Sequence, residues 1–163
     1  MCGRYTLKSS SAQIAATFGV PVPPTLPERF NIAPSQAVLA VRAQPDTHRR
    51  ELVPLKWGLV PAWARDPAIG YRMINARSEG DHNGDNDPGY RGAMGILQKP
   101  MFRQSIRTRR CLVVADAFIE GPQREKLAKP YVVYARDGQR PFALAGIWDE
   151  WTDTATGELV RSF

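Results

Sequence analysis

The chain has 163 residues, of which 43% are hydrophobic and 23% charged, a composition typical of a soluble globular protein with one core. No stretch approaches the roughly 20 apolar residues that cross a bilayer, and no apolar run near the N-terminus is typical of a secretory signal, so we expect a cytoplasmic protein without a membrane partner. Cys2 and Cys111 are too few for a disulfide framework or a cysteine-rich zinc site, and we expect neither metal nor cofactor. The net charge of +6 favours a polyanionic partner.

The first half of the chain predicts one short helix and two strands. SSSAQIAATFG predicts a helix, because a serine can cap its start, Ile14 and Phe18 share a face, and Gly19 can end it. The proline-rich segment 20–28 predicts an extended connector. AVLAVRA and LVPLKWGLVP predict strands, and Pro54 favours an edge or a bulge in the second.

The second half predicts mostly strands. The Gly- and Asp-rich segment 79–92 predicts a long loop, MFRQSIRT a short helix, and RCLVVADAFIE one apolar strand. KPYVVYARDGQRPFALAGIWDEW predicts two strands joined around the turn pair Asp137-Gly138, and TDTATGELVRSF predicts a turn and a further strand. We therefore expect an α+β fold with a curved, barrel-like antiparallel sheet and short peripheral helices. Because Phe163 lies inside a predicted strand with no obvious partner, we expect 1–163 to be a single domain that lacks its C-terminal part.

Cys2 lies where an ordinary structural cysteine is unusual, because chain termini are commonly exposed. We expect removal of Met1, since the next side chain is small, and Cys2 would then carry an α-amine of pKa about 7.7–8.0 beside a thiol of pKa about 8.5. Such a 1,2-aminothiol condenses with an aldehyde to an imine, and the thiol then closes a thiazolidine ring. Two alternatives remain open: a thiol acting alone in acyl transfer, and a residue without a role near a terminus.

Other candidate residues are polar and stand near predicted strands. Glu120 ends an apolar strand, where a carboxylate can act as a general acid or base, or can simply occupy a turn. Asn75, Arg77 and Glu79 alternate in MINARSE, which predicts that they share one face of an extended segment. An amide beside a guanidinium suits a phosphate-bearing ligand, although ordinary polar contacts also explain the pair.

The aromatic and basic residues divide between core and surface. We expect Trp57 and Cys111 in the core, and Trp63 at a surface where an aromatic ring can stack on a nucleobase. The clearest local excess of charge is RQSIRTRR, and both a nucleic-acid contact and a solvated helix face remain open for it. Its arginines are Arg103, Arg107, Arg109 and Arg110.

Six motifs occur in an order that identifies a family. They are MCGRY at the start, NIAP at 31–34, WGLVPAWA at 57–64, NARSE at 75–79, RCLVVADAFIE at 110–120 and AGIWDEW at 145–151. Together they resemble the SOS response-associated peptidase (SRAP) family over essentially the whole chain. The resemblance implies a sensor of abasic sites in single-stranded DNA, in which the N-terminal cysteine forms a thiazolidine crosslink with the ring-opened sugar. Removal of Met1, which can be autocatalytic in the family, gives the peptidase name.

The same resemblance assigns roles to particular residues. Cys2 would be the nucleophile through its amine and sulfur, Asn75 would hold the opened sugar, and Glu120 would shuttle protons. The residues implied to contact DNA are Arg4 and Arg77 at the phosphates, and Trp63, Asn31 and Pro34 beside the channel. We expect a monomer without a metal, cytoplasmic and associated with the nucleoid on DNA damage.

The sequence departs from the family pattern at three places, one of which is the Gly- and Asp-rich loop at 80–92, longer than the typical connection. Around Glu120 the chain reads VADAFIEGP where many members read P-A-D-G-F-Y-E-W. The family's catalytic histidine belongs to a His-x-Arg-Met-Pro segment, and neither His48 nor His82 stands in such a context. Besides the DNA-crosslinking enzyme, two functions therefore stay open: a thiol-dependent peptidase or amidohydrolase with an N-terminal nucleophile, and a non-catalytic module that binds single-stranded nucleic acid.

Overall fold

The computed structural model describes residues 3–79, 87, 89–90, 95–121 and 129–163. Within these residues the strands are β1 (Arg4–Leu7), β2 (Arg29–Ile32), β3 (Ala37–Ala43), β4 (Arg50–Lys56), β5 (Arg110–Ala115), β6 (Ala117–Glu120), β7 (Tyr131–Val133), β8 (Phe142–Ile147), β9 (Asp149–Thr152) and β10 (Leu159–Ser162). The helices are α1 (Ser11–Phe18) and α2 (Ser105–Thr108), and 3₁₀ segments cover Pro67–Arg72 and Gly95–Leu97. Among these residues no helix has both the length and the apolar character that crossing a membrane requires.

A four-stranded antiparallel sheet has the order β2-β1-β6-β7. The first strand of the chain lies inside it, with Tyr5 opposite Ile32 on one side and Phe118 on the other. Directly opposite residues point to the same face of a sheet, so these three side chains form one row, and Tyr5 and Ile32 are buried in the core. Arg4 and Thr6 alternate with them and face the other way.

A second sheet of six strands has the order β8-β5-β3-β4-β10-β9. Its pairs are antiparallel except β10 with β4, where Ser162 lies opposite Lys56. The predicted α+β fold with a curved sheet and short helices is confirmed, but the sheet is mixed rather than purely antiparallel. The parallel pair arises because the β9–β10 hairpin folds back so that β10 runs alongside the end of β4.

The last residues have partners, contrary to the expectation of an unpaired strand. The Phe163 N–H donates to the carbonyl of Lys56 at 2.9 Å, and the Gly58 N–H donates to the carbonyl of Phe163 at 2.8 Å. β4 lies between β3 and β10, so it is not the edge strand that Pro54 favoured. Pro54 pairs with Leu39 of β3 and stands two residues before Lys56, where β4 meets β10.

The segment RCLVVADAFIE is two strands and not the single strand predicted. β5 belongs to the six-stranded sheet and β6 to the four-stranded sheet, and the chain crosses between them at Asp116. The buried Asp116 carboxylate accepts the N–H groups of Lys8 and Ser9 at 2.6 and 2.8 Å and the Ser9 hydroxyl at 2.6 Å. Asp116 also donates its own N–H to the carbonyl of Thr6 at 2.8 Å. These bonds join the end of β1 to the crossing point.

The predicted hairpin around Asp137-Gly138 is also wrong. The turn exists, with Gly138 at φ 73° and its N–H donating to the carbonyl of Ala135. However, β7 before it pairs with β6 and β8 after it pairs with β5, so the turn connects two sheets. A turn signal predicts a reversal of the chain, but the partner of each strand depends on packing far away in sequence.

The helix α1 forms as predicted and packs on the main core. Ser10 and Gln13 make a reciprocal capping box, and Gly19 ends the helix in the left-handed conformation at φ 63°. Ile14 and Phe18 join a buried cluster with side chains of both sheets. A smaller cluster contains Leu59 and lies beneath α2, which is shorter than predicted.

Gly58 and Gly70 bring two segments of backbone into direct contact. Gly58 has φ 124°, and a Cβ at that position would lie 2.5 Å from the carbonyl oxygen of Gly70. A Cβ on Gly70 would lie 2.8 Å from the carbonyl oxygen of Gly58. Only glycine fits both the dihedral angle and the space, so this contact holds the 3₁₀ segment against the start of the 57–64 loop.

We predict that Gly58→Ala lowers the free energy of unfolding by about 2–4 kcal/mol, because it adds backbone strain to a steric clash. Gly157→Ala is the matched control, since Gly157 has φ 75° and a Cβ added there would meet no atom within 4 Å. Gly157→Ala should lower the free energy of unfolding by about 1–2 kcal/mol, because only the left-handed dihedral angle is unfavourable there. Urea denaturation measures both, and equal losses would contradict the contribution of the Gly58–Gly70 contact.

Candidate DNA-binding and catalytic site

Arg4 and Asn31 meet beside the N-terminal end of β1. Cys2 lies outside the described residues, and β1 begins two residues after it. Arg4 Nη1 donates to Asn31 Oδ1 at 2.8 Å, and the Asn31 side chain is exposed. The structure therefore brings together two residues that the sequence predicted to contact DNA. A guanidinium is the side-chain group best suited to charge-assisted hydrogen bonds with a phosphate.

The turn that carries Pro34 is fixed to Trp57. Pro34 is half-buried, and Ser35 after it has φ 72°, a left-handed conformation that is uncommon for a residue other than glycine. The Ser35 N–H donates to the carbonyl of Trp57 at 2.8 Å, and the Trp57 N–H donates to the carbonyl of Gln36 at 3.0 Å. These two bonds hold the turn at a defined place directly after β2, the strand that carries Asn31.

Asn75 is exposed and lies on a segment that docks against residues 57–59. The Leu59 N–H donates to the carbonyl of Met73 at 3.0 Å. The Trp57 indole Nε1–H donates to the carbonyl of Ile74 at 2.9 Å. Two consecutive carbonyls are therefore held immediately before Asn75.

The segment after Asn75 is not a strand, and a turn occupies Ser78–Glu79. The alternation predicted for Asn75, Arg77 and Glu79 is therefore wrong as a feature of a strand. Arg77 is half-buried, whereas Asn75 is exposed. Most of the predicted 79–92 loop lies outside the described residues.

Asn75 lines a cavity of about 420 Å³. The walls are predominantly apolar, and Ser78 and Arg110 add polar groups. Side chains from distant parts of the chain meet here, including Tyr5, Trp57, Leu112, Leu144 and Phe163. A largely apolar cleft with a few polar groups is the usual form of a small-molecule site, and here it adjoins the proposed sugar-holding amide.

Glu120 lies at the end of β6 that runs beside the start of β1. Ile119 pairs with Arg4, and Glu120 is the next residue, toward the N-terminal side of β1. It is half-buried and pairs with Tyr131 of β7. Alternation places it on the same face of the sheet as Phe118, the partner of Tyr5. The backbone of Glu120 therefore lies beside the N-terminal end of β1.

Trp63 is 56% exposed, as predicted for a surface tryptophan, whereas Trp57 is buried in the core. Trp63 borders a second concavity of about 500 Å³, together with Arg65, Arg72 and Ile69. An exposed indole beside two guanidinium groups matches the combination of stacking surface and cations that single-stranded nucleic acids favour.

The β9–β10 hairpin holds the loop that presents Trp63. Ser162 Oγ accepts the N–H of Val60 at 2.8 Å, and Asp149 Oδ2 accepts the N–H of Ala62 at 3.1 Å. The Trp151 indole Nε1–H donates to the carbonyl of Ala64 at 2.7 Å. Both Ser162 and Asp149 are buried, so the loop is anchored by polar groups that have little access to water.

Cys111 is buried, as predicted, and is unsuited to nucleophilic chemistry. Burial raises the pKa of its thiol from 9.0 to about 12, and the nearby Arg42 guanidinium offsets only part of this. At neutral pH the thiol is therefore protonated. Its sulfur also lies 2.9 Å from where a Cβ on Gly146 would stand, so Cys111 packs against backbone.

The arginine cluster of RQSIRTRR serves partly structural roles. Arg107 donates to the carbonyl oxygens of Arg103 and Leu97, next to α2. Arg109 pairs with the buried Asp149 and lies over the ring of Trp148 at 5.5 Å. Among the described residues, no group of three or more His, Cys, Asp or Glu side chains is arranged to hold a metal ion.

Sequence reasoning missed the residues that support the site. It assigned Trp57 to the core but gave no sign that its indole would reach the carbonyl before Asn75. It attached no role to Asp149 or Ser162, which anchor the Trp63 loop. A buried aspartate and serine within apolar strands are a weak signal, because buried polar residues in general need hydrogen-bond partners.

Comparison with known proteins identifies the family. The sequence matches the family described as SOS response associated peptidase (SRAP) over residues 1–163. The chain belongs to the SRAP family. It is 35% identical over 156 residues to the abasic site processing protein YoaM of Bacillus subtilis, covering 93% of this chain and 61% of that protein. It is 33% identical to YobE of the same organism, also named an abasic site processing protein, covering 98% and 66%.

Solved structures share the fold of this chain. A crystal structure of a Bacteroides thetaiotaomicron protein superposes with a TM-score of 0.73 at 23% identity, covering 99% of this chain and 66% of that chain. A Bordetella bronchiseptica protein gives a TM-score of 0.67 at 24% identity, covering 99% and 69%. The SRAP chain described here thus spans about three fifths of the length of curated relatives such as YoaM.

Proposed function

We propose that this SRAP-family protein captures abasic sites in single-stranded DNA as a covalent thiazolidine at Cys2, after removal of Met1. The observation that carries the proposal is the arrangement at the start of β1. On one face of the sheet, Arg4 Nη1 donates to Asn31 Oδ1 at 2.8 Å. Glu120 follows the residue paired with Arg4 on the neighbouring strand and lies on the other face, that of Tyr5, so the two faces flank the N-terminal end of β1. The names of the relatives, which call them abasic site processing proteins, support the same substrate.

The chemistry balances without a cofactor. The α-amine of Cys2 adds to the aldehyde of the ring-opened sugar, and loss of one water gives an imine. The sulfur then adds to the imine carbon, and its proton passes to the nitrogen as the thiazolidine ring closes. One C–N bond and one C–S bond form, one C=O bond is lost, and no electron acceptor is needed.

The other proposed side chains transfer protons, hold the opened sugar or bind the DNA strand. The Glu120 carboxylate takes the proton from the ammonium or thiol and returns it to the departing hydroxyl. Asn75, which lines the cavity, donates and accepts hydrogen bonds with the opened sugar. Arg4 and Arg77 hold the flanking phosphates, and Trp63 and the turn with Pro34 border the path of the strand. Neutralised phosphates make the encounter with DNA dependent on salt.

The direct test is incubation with single-stranded DNA that contains one abasic site, followed by a denaturing gel. Wild-type protein should give a covalent adduct, and Cys2→Ala should give none while it keeps its affinity for lesion-free single-stranded DNA. Cys111→Ala is the matched thiol control and should react like wild type, because the Cys111 thiol is buried with a pKa of about 12.

The outcomes separate the competing functions. An adduct that survives Cys2→Ala, or a wild-type protein that forms none, would overturn the proposal. Cleavage of peptides in trans without dependence on an aldehyde would favour a thiol peptidase. Salt-dependent binding that is identical in wild type and Cys2→Ala, with no adduct in either, would favour a non-catalytic binding module.

A further inference from the structure

We propose that Trp57 is a positioning residue for Asn75, acting through the hydrogen bond from its indole N–H to the carbonyl of Ile74. The Nε1–O distance is 2.9 Å. The inference rests on the proposed function, in which Asn75 holds the opened sugar, and it assigns to a core tryptophan a part in the reaction. Under this proposal Trp57 does not contact the abasic DNA.

The acceptor of this bond explains why it orients Asn75. The carbonyl of Ile74 and the N–H of Asn75 belong to one planar peptide group. Holding that carbonyl fixes the rotation of the plane, and with it the direction in which the Cα and side chain of Asn75 leave the backbone. The Leu59 N–H holds the preceding carbonyl, that of Met73, at 3.0 Å. The Trp57 bond therefore holds the peptide group that leads directly into Asn75.

The indole itself is immobilised from several sides. Trp57 is only 6% exposed. Its ring stacks on Phe163 with centroids 6.2 Å apart and an interplanar angle of 15°, and it packs against Tyr5 at 5.5 Å. A donor held this way has little freedom left to lose when it orders its acceptor.

The backbone of Trp57 gives the residue a second connection to the site. Its carbonyl and N–H bond to Ser35 and Gln36, in the turn that carries Pro34. One residue thus sets the position of this turn relative to Asn75. The turn with Pro34 and Asn75 both border the proposed path of the DNA. A substitution that removes only the indole N–H should disturb the position of Asn75 and leave the backbone bonds from residue 57 to the turn in place.

Trp151 offers a matched control. It is also buried, at 8% exposure, and its indole N–H donates to the carbonyl of Ala64 at 2.7 Å. Trp57→Phe and Trp151→Phe therefore make the same chemical change at similar burial. The acceptors differ, since one lies before Asn75 and the other lies after Trp63. The first substitution should affect the reaction, and the second should affect at most the affinity for DNA.

The test measures single-turnover adduct formation over a range of abasic-DNA concentrations, together with thermal unfolding. Trp57→Phe should lower the rate constant at saturating DNA by about 10- to 100-fold, the effect of a misplaced catalytic group. The DNA concentration at half saturation should change by less than about twofold. Trp151→Phe should keep the saturating rate constant within about twofold of wild type. The double mutant Trp57→Phe/Asn75→Ala should react no more slowly than Asn75→Ala, since residues that act as a unit are not additive.

A second variant tests the same positioning role if Trp57→Phe folds poorly. Phe163→Leu removes the stacked ring and retains the indole N–H, so it should slow the saturating step less than Trp57→Phe does, and not at all in an Asn75→Ala background. A wild-type rate in Trp57→Phe, an equal loss in Trp151→Phe, or multiplied losses in the double mutant would overturn the positioning role alone. Absence of any adduct with wild-type protein would instead overturn the proposed function, and the positioning role with it.

Discussion

Glu120→Gln is expected to slow formation of the covalent DNA adduct by about 10²–10⁴-fold, the range in which a positioned general acid or base contributes. Glutamine has nearly the same shape as glutamate and cannot exchange a proton, so the change removes the proposed proton transfer. Glu120 is half-buried at the end of β6, where backbone pairing with Tyr131 does not depend on the side chain. The rate constant of adduct formation at saturating abasic DNA, followed on denaturing gels, measures the effect.

Glu158→Gln is the matched control for this prediction. Glu158 is an exposed carboxylate in the turn before β10, and its replacement should leave the rate unchanged. The affinity for lesion-free single-stranded DNA should also be the same in Glu120→Gln and wild type, because the proposed role of Glu120 is proton transfer while the covalent bonds form. A normal adduct rate in Glu120→Gln would remove Glu120 from the mechanism, whereas a loss of DNA affinity would reassign it to binding.

Asp116→Ala is expected to lower the free energy of unfolding by about 3–5 kcal/mol, since hydrogen bonds to a charged group contribute about 1.5–3 kcal/mol each. The Asp116 carboxylate accepts three such bonds, from the N–H groups of Lys8 and Ser9 and from the Ser9 hydroxyl. Its removal leaves two backbone donors without their acceptor at the end of β1. Asp116→Asn keeps one carbonyl acceptor and should lose less. Urea denaturation followed by circular dichroism measures both.

Asp153→Ala is the corresponding control at the surface. Asp153 also accepts backbone N–H groups, those of Ala155 and Thr156, but in an exposed turn where water can replace it. It should cost about 1 kcal/mol or less. If Asp116→Ala were no more destabilising than Asp153→Ala, the crossing between the two sheets would not depend on the buried carboxylate.

Local features of the fold followed from local sequence. The start and end of α1 could be predicted, because Ser10 and Gly19 act on backbone groups within a few residues of themselves. The burial of Cys111 could be predicted from its apolar neighbours, and the exposure of Trp63 from its place in a loop after prolines.

The pairing of strands could not be predicted in the same way. The apolar run 110–120 has no turn signal, yet it crosses between sheets at Asp116 because acceptor and donors come from opposite parts of the chain. The turn at Asp137-Gly138 has a clear signal, but its flanking strands find partners in different sheets. Both outcomes depend on contacts between residues far apart in sequence, which a periodic pattern does not encode.

The candidate site shows the same division. Its candidate residues were predicted from motifs, and the structure brings Arg4 to Asn31 and the backbone of Glu120 beside the start of β1. The residues that hold those groups were not named, because a bond such as that from Trp57 to Ile74 depends on how two loops pack. Residues that react leave a recognisable type and order in the sequence, whereas residues that support them resemble ordinary core.

Formation of a thiazolidine at Cys2 is tested most directly by the intact mass of the product formed with abasic single-stranded DNA, followed by peptide mapping. We predict a protein without Met1 joined to the DNA with loss of one water, and a modification confined to the peptide that begins with Cys2. The same product should be absent from Cys2→Ala. A DNA adduct on any other residue, or an adduct on a chain that retains Met1, would contradict a thiazolidine formed by the amine and thiol of an N-terminal cysteine.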